Sequence, residues 1–112
     1  MPSHFSVGFV DDSLKREFAR LEQGPFQEKR VADFLHQAIV NLAENPYLGI
    51  PIPRKLWPKI YMTKYRIDNL RKYDLPMGWR LIYTLRGTEV EVISILIEWF
   101  DHKHYERRFG YG

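Results

Sequence analysis

The sequence contains no cysteine, no long apolar run and only a small excess of positive charge, +3 over 112 residues. Without cysteine, neither a disulfide nor a thiolate metal site can form. No apolar segment approaches the roughly 18 residues that a membrane-spanning helix requires. The start, MPSHFSVGFVDD, lacks the basic region and apolar stretch of a signal peptide. We therefore expect a cytoplasmic protein that does not engage a membrane.

Several catalytic motifs are also missing. The chain has neither a glycine-rich phosphate loop nor a G-x-S-x-G nucleophile motif. His102 and His104 are two residues apart, a spacing that does not bring two imidazoles onto one metal from a helix. His4 and His36 belong to other predicted elements, and we interpret both as structural. We therefore expect no metal and no cofactor.

The positive charge is concentrated in the second half of the chain. Residues 1–50 hold five Lys/Arg against seven Asp/Glu, whereas residues 51–112 hold twelve against seven. The basic half also contains Trp57, Tyr61, Tyr65, Trp79 and Tyr105. Cations follow a phosphate backbone and aromatic rings stack on unpaired bases, so this mixture is typical of a single-stranded RNA surface. A solvated basic face over an aromatic core is the alternative.

The hydrophobic patterns predict one α+β domain spanning residues 1–112. A helical hairpin should pack on a four-stranded, mostly antiparallel sheet in the order β-α-α-β-β-β-α. Asp11 or Asp12 should cap the first helix, and Asp101 should cap the last. We predict strands over 4–10, 60–70, 79–86 and 90–98, helices over 11–22, 26–43 and 101–109, and one core that contains Phe18, Phe34, Ile39, Tyr83, Ile93 and Ile95.

The last third of the chain carries the candidate chemistry. Cutting RNA without a metal requires a positive charge on the phosphate and groups that exchange protons. Arg80 lies on a predicted strand and its planar guanidinium matches two phosphate oxygens. His102 and His104 are natural proton shuttles, and Tyr105 can stack on a base. Alternatively, Tyr105 and the nearby Phe109 only attach the terminal helix to the core.

Seven further basic residues are candidates for contacts with the RNA backbone. They lie on the proline-rich loop, on or directly after the predicted strand over 60–70, and on the terminal helix. They are Lys55, Lys64, Arg66, Arg71, Lys103, Arg107 and Arg108. Glu98 lies at the end of a predicted strand beside the terminal cluster and is a further candidate base, or the partner of a neighbouring arginine.

The segments DLPMGWRLIYT and EWFDHKHYERRFGY resemble the RelE/ParE superfamily of bacterial and archaeal toxins, and within it an archaeal branch of RelE-like proteins. The resemblance implies the RelE-like fold and cleavage of mRNA on the ribosome without a metal. It assigns Arg80 to the scissile phosphate and Tyr105 to stacking on the substrate. It also implies a cognate antitoxin as partner, and a homodimer is possible.

The chain departs from the family pattern at one important place. Asp68 and Asn69 stand in the region where RelE has an active-site lysine, so His102, His104 or Glu98 would have to act as the base. Three functions therefore remain open. They are an mRNA endonuclease toxin, a ParE-like protein that binds a topoisomerase, and a binding module of this fold without toxic activity.

Overall fold

The computed structural model describes residues 4–110; residues 1–3 and 111–112 of the expected domain lie outside the described residues. After the first strand the chain forms the 11-residue helix α1. A short break separates α1 from the longer helix α2. The elements are β1 (His4–Phe9), α1 (Asp12–Glu22), α2 (Phe26–Glu44), β2 (Ile50–Pro51), a 3-10 helix (Arg54–Leu56), α3 (Lys59–Tyr65), β3 (Arg71–Asp74), a 3-10 helix (Pro76–Gly78), β4 (Arg80–Gly87), β5 (Glu91–Phe100) and α4 (His102–Phe109).

The ends of the helices follow from their capping residues, as the sequence predicted. Asp11 accepts a hydrogen bond from the backbone N–H of Leu14 at 2.9 Å, and Asp101 accepts one from His104 at the same distance. Each aspartate thereby satisfies a donor that the first turn of a helix leaves open. Gly110 ends α4 in the left-handed conformation, with φ of 73°. Both predicted caps and both predicted helices of the hairpin are confirmed.

The α+β class is confirmed, but the sheet has five strands rather than four. Its order is β1-β5-β4-β3-β2, so β5 is an interior strand with a neighbour on each side, as its apolar sequence indicated. The β1 strand pairs with β5 in parallel, and the other pairs are antiparallel. The extra strand, β2, is only two residues long and contains Pro51. Proline removes a backbone donor, which restricts such a strand to the edge of a sheet.

The predicted strand over 60–70 is wrong. Residues Lys59–Tyr65 form α3, and Arg66 ends this helix in the left-handed conformation with φ of 52°. Tyr61 from α3 is completely buried, so burial of one face of this short helix outweighs the strand preference of its β-branched and aromatic residues. The third strand begins only at Arg71.

Two hydrophobic clusters cover the two faces of the sheet, where the sequence predicted one core. Leu81 and Tyr83 pack under α1 and α2, with Phe18 in the same cluster and Phe34 and Ile39 against it. Ile82 points the opposite way. It packs with Tyr61 of α3 and with Tyr105 and Phe109 of α4. We call this second side the α4 face. Ile93 and Ile95 are only half-buried and belong to neither cluster, contrary to the prediction.

Candidate functional site

The edge of the α4 face brings two cations together from neighbouring strands. Lys72 pairs with Ile82 and Asp74 pairs with Arg80 across the β3–β4 ladder. Directly opposed residues of an antiparallel pair lie on the same face of a sheet. Lys72 and Arg80 are therefore close neighbours on the α4 face, and the rigid sheet fixes their relative positions.

Tyr105 of α4 packs against both cations. The Lys72 Nζ atom lies 5.7 Å from the centre of the Tyr105 ring, and the Arg80 Cζ atom lies 5.8 Å from it. These distances fit cation–π contacts, which stabilise the cations in place. Asp74 completes the group, with its Oδ1 atom 3.1 Å from Arg80 Nε and 3.8 Å from Lys72 Nζ. We call this group the Lys72–Arg80–Tyr105 cluster.

Both cations in the cluster are partly accessible, whereas the tyrosine is not. The side chains of Lys72 and Arg80 are 24% and 20% exposed, and Tyr105 as a whole is only 5% exposed. The Tyr105 ring stacks on Phe109 with a centroid distance of 4.7 Å. Tyr105 therefore attaches α4 to the sheet and supports the cations from below. In this arrangement, an incoming anion meets the cations and not the tyrosine ring.

The two histidines of α4 lie apart from each other. His102 Nε2 is 2.7 Å from Glu106 Oε1, and His104 Nδ1 is 2.7 Å from Asp101 Oδ1; both imidazoles are largely exposed. His102 lies beside the turn before Arg80, because a Cβ added to Gly78 would be 3.6 Å from the Cβ of His102. The backbone N–H and the imidazole of His104 lower the pKa of Asp101.

Glu98 lies on the same face, two strands away from Lys72. Glu98 pairs with Ile82, which pairs in turn with Lys72, so the three form one row across the sheet. Adjacent strands are about 4.8 Å apart, which separates the backbones of Glu98 and Lys72 by roughly 10 Å. Arg108 Nη2 lies 3.3 Å from Glu98 Oε2. Glu98 thus pairs with an arginine, which is one of the two roles that the sequence suggested for it.

The predicted RNA-binding residues fall into two groups. Arg71 points away from the α4 face, where its guanidinium donates to the carbonyl oxygens of Tyr47 (3.2 Å) and Gly49 (3.0 Å). The structure therefore gives Arg71 a role in holding the loop between α2 and β2. The other six are exposed and lie on the 3-10 helix, on α3 and its end, and on α4: Lys55, Lys64, Arg66, Lys103, Arg107 and Arg108.

Lys72 is the site residue that the sequence reasoning missed. A strand over 60–70 would place Asp68 and Asn69, and not Lys72, in the region of the family's lysine. The alternation in KYD, directly before Leu75-Pro76, was a usable signal, because it places Lys72 and Asp74 on one face of a short strand. The register with β4 then brings this face to Arg80.

A second feature is an open groove of about 770 Å³ between α4 and the helical hairpin. Trp79 and Trp99 line it together with Leu21 and Val31, and His104 and Arg107 line its α4 side. Arg20, on the hairpin side, is paired with Glu17 at 2.7 Å and with Glu28 at 2.6 Å. His104 thus belongs to this groove and not to the Lys72–Arg80–Tyr105 cluster.

Within residues 4–110, no three His, Asp or Glu side chains are grouped so that they could hold a metal ion. Over the same residues, every helix is too short or too polar to span a bilayer.

Comparison with known proteins identifies the family. Residues 9–98 match the model of the ParE toxin of the type II toxin–antitoxin system parDE. Neither the curated proteins nor the solved structures contain a significant match. The family match covers most of the chain and includes β3 and β4, which carry the cations of the site. A toxin of this class implies an antitoxin as its partner. The chain therefore belongs to the ParE toxin family of type II toxin–antitoxin systems, within the RelE/ParE toxin superfamily.

Proposed function

We propose that this toxin is a metal-independent endoribonuclease that cuts mRNA on the ribosome. The observation that carries the proposal is the convergence of Lys72 and Arg80, from two neighbouring strands, on one accessible edge of the α4 face. Two cations at fixed positions bind a phosphate diester and stabilise the additional negative charge that develops during cleavage. Arg80 supplies a planar fork, and Lys72 supplies a point charge.

The reaction requires no water and no oxidant. The ribose 2′-hydroxyl loses its proton to a base, and its oxygen forms a bond to the adjacent phosphorus. The bond from phosphorus to the 5′-oxygen breaks, and the 5′-oxygen takes a proton from an acid. The products are a 2′,3′-cyclic phosphate and a 5′-hydroxyl. Arg80 and Lys72 neutralise the non-bridging oxygens in the transition state, where a fixed donor contributes most.

His102 is better placed than His104 to exchange these protons. His102 lies beside Gly78, two residues before Arg80, whereas His104 lines the tryptophan groove. Imidazole exchanges protons near neutral pH, and Glu106 orients the His102 ring at 2.7 Å. Glu98 is a second candidate base, in the same row as Lys72. Tyr105 acts through the two cations that it supports.

The test compares single variants on ribosomes programmed with an mRNA. Removing a stabilising charge should slow cleavage by about 100-fold or more, so Arg80→Ala and Lys72→Met should both show this loss. Arg86→Ala is the matched control, because Arg86 lies on the same strand but donates to the carbonyl of Tyr65 at the far end of the sheet. Equal rates for wild type, Arg80→Ala and Lys72→Met would exclude this site.

The second candidate function is binding to a topoisomerase, as expected of a ParE-like toxin. The family match favours it, and so does the groove that Trp79 and Trp99 line, since half-buried tryptophans at a surface groove are typical of protein interfaces. Under this proposal, Trp99→Ala relieves growth arrest and Arg80→Ala does not. The two functions therefore predict opposite patterns in the same growth assay.

A further inference from the structure

The chain that leaves α2 and enters β2 exposes three large apolar side chains within four residues. Tyr47, Leu48 and Ile50 are 53%, 49% and 58% exposed. A single exposed apolar residue is ordinary on a protein surface, whereas a contiguous group of them indicates a binding surface. We call these three residues the 47–50 patch. The family match does not assign a role to it.

The backbone beneath this patch is held by buried polar groups. The Tyr83 hydroxyl accepts a hydrogen bond from Gly49 N at 2.9 Å and donates one to Pro46 O at 2.8 Å. Arg71 binds the carbonyls of Tyr47 and Gly49 from the side. Tyr83 is completely buried, and a Cβ on Gly49 would lie only 2.5 Å from its hydroxyl oxygen. The patch is therefore presented by a rigid loop, which lowers the entropy lost when a ligand binds.

The patch continues directly from the Lys72–Arg80–Tyr105 cluster. Ile50 pairs with Lys72 across the β2–β3 ladder, so the two side chains lie side by side on the α4 face. Arg71 reaches the loop from the opposite face of β3, and its Cζ atom lies 5.7 Å from the centre of the Tyr47 ring. This contact steadies one part of the ring while half of its surface stays exposed. A cation, an apolar side chain and an exposed aromatic ring thus follow one another around the sheet edge.

We propose that the 47–50 patch binds the bases of single-stranded RNA next to the phosphate held by Lys72 and Arg80, with Tyr47 as a stacking platform. Alternating cations and exposed aromatic rings are the chemistry that single-stranded nucleic acid uses, since phosphates bind the charges and bases stack on the rings. A chain that leaves the phosphate site over β2 passes Ile50 and then reaches Tyr47. This inference rests on the proposed function and identifies where that function binds its substrate outside the scissile position.

The test uses binding of a short single-stranded RNA with 2′-O-methyl groups, which lacks the attacking hydroxyl and cannot be cleaved by this chemistry. Tyr47→Ala should raise the dissociation constant by about 5- to 150-fold, the range for the loss of one stacked base. Tyr47→Phe keeps the ring and should bind as wild type does. Phe26→Ala is the matched control, because Phe26 is an even more exposed ring (74%) at the other end of α2, a helix roughly 28 Å long.

An abasic nucleotide identifies the contact. Removing one base from the RNA should weaken binding to the wild type and should produce no further loss in Tyr47→Ala, since the partner of that base is already gone. Additive losses at every position of the RNA would overturn the inference, and so would unchanged affinity in Tyr47→Ala. A variant of the patch that binds RNA normally but no longer binds a protein partner would identify the patch as a protein interface. That result would also overturn the inference.

Cleavage separates this inference from the function on which it rests. If the wild type binds the modified RNA through Tyr47 yet leaves ribosome-bound mRNA intact, the binding surface stands and the nuclease proposal fails. If the wild type cuts mRNA and Tyr47→Ala cuts it with unchanged KM, the nuclease proposal stands and the 47–50 patch is excluded. Circular dichroism on each variant should match the wild type, because Tyr47 is half exposed and is not part of either hydrophobic cluster.

Discussion

Replacing Tyr83 by phenylalanine tests the rigid loop on which the site depends. The substitution removes one oxygen atom from a completely buried side chain. That oxygen accepts a hydrogen bond from Gly49 and donates one to Pro46, and both residues are buried. Two backbone groups would then lose their partner away from water. Each costs about 1–3 kcal/mol, so we expect Tyr83→Phe to lower the free energy of unfolding by about 2–6 kcal/mol.

The matched control is Tyr73→Phe on the neighbouring strand. The Tyr73 hydroxyl accepts a single hydrogen bond from Asn41 Nδ2 at 2.9 Å, and both residues are half-buried. Its loss should lower the free energy of unfolding by only about 0.5–1.5 kcal/mol. Urea denaturation measures both variants, and an unchanged slope against urea would show that the unfolded state is unaffected. A loss below about 0.5 kcal/mol in Tyr83→Phe, or equal losses in both variants, would refute the bracing role of Tyr83.

The remaining predictions concern the loop, the α4 cap and the charges. Gly49→Ala should destabilise the protein by more than about 2 kcal/mol, because the new Cβ would overlap the Tyr83 hydroxyl, whereas nothing lies within 4 Å of a Cβ on Gly8 and Gly8→Ala should be tolerated in the same urea assay. Asp101→Ala should cost about 1 kcal/mol at pH 7. Because the fold lowers the pKa of Asp101, that stabilisation is present above the unfolded pKa of about 3.9 and is lost as the pH falls through the lower folded value. The difference between the two proteins should therefore disappear in strong acid. RNA affinity should fall steeply with salt, and Lys72→Met should make the slope of log affinity against log salt shallower by about 0.7, as titrations at several salt concentrations would show; an equal slope would mean that Lys72 does not contact a phosphate.

The local signals in the sequence predicted the hairpin of helices and the interior position of β5 correctly. Aspartates before amphipathic segments marked α1 and α4, because capping is decided by neighbouring residues alone. The apolar run in β5 indicated a strand covered on both faces, and β5 does lie inside the sheet, between β1 and β4. These features depend on short stretches of chain, so periodicity and end signals were sufficient to find them.

The errors arose where distant contacts decide the structure. Ile60 and Tyr61 favour a strand by composition, but Tyr61 packs against Phe109 from the far end of the chain, with ring centres 6.0 Å apart, and the segment is helical. A strand at that position would leave Lys72 outside the site. Lys72, Ile82 and Glu98 form one row across three strands only because of the register in which those strands pair. The sequence of a single strand does not determine this register.

Arg71 illustrates the same limit for function. The sequence shows an arginine next to a lysine, and both look equally suited to bind a phosphate. Side chains alternate between the two faces of a strand. Lys72 therefore reaches the α4 face, whereas Arg71 reaches the loop carbonyls of Tyr47 and Gly49. One residue of offset separates a candidate catalytic cation from a structural one.

The most direct test of the central claim is cleavage of ribosome-bound mRNA by the purified toxin, on ribosomes kept intact by Mg²⁺. The account predicts cuts that carry a 2′,3′-cyclic phosphate and a 5′-hydroxyl, made at about 100-fold lower rate by Arg80→Ala and by Lys72→Met and at the wild-type rate by Arg86→Ala. Intact mRNA at high toxin concentration, together with growth arrest that Arg80→Ala does not relieve, would contradict it.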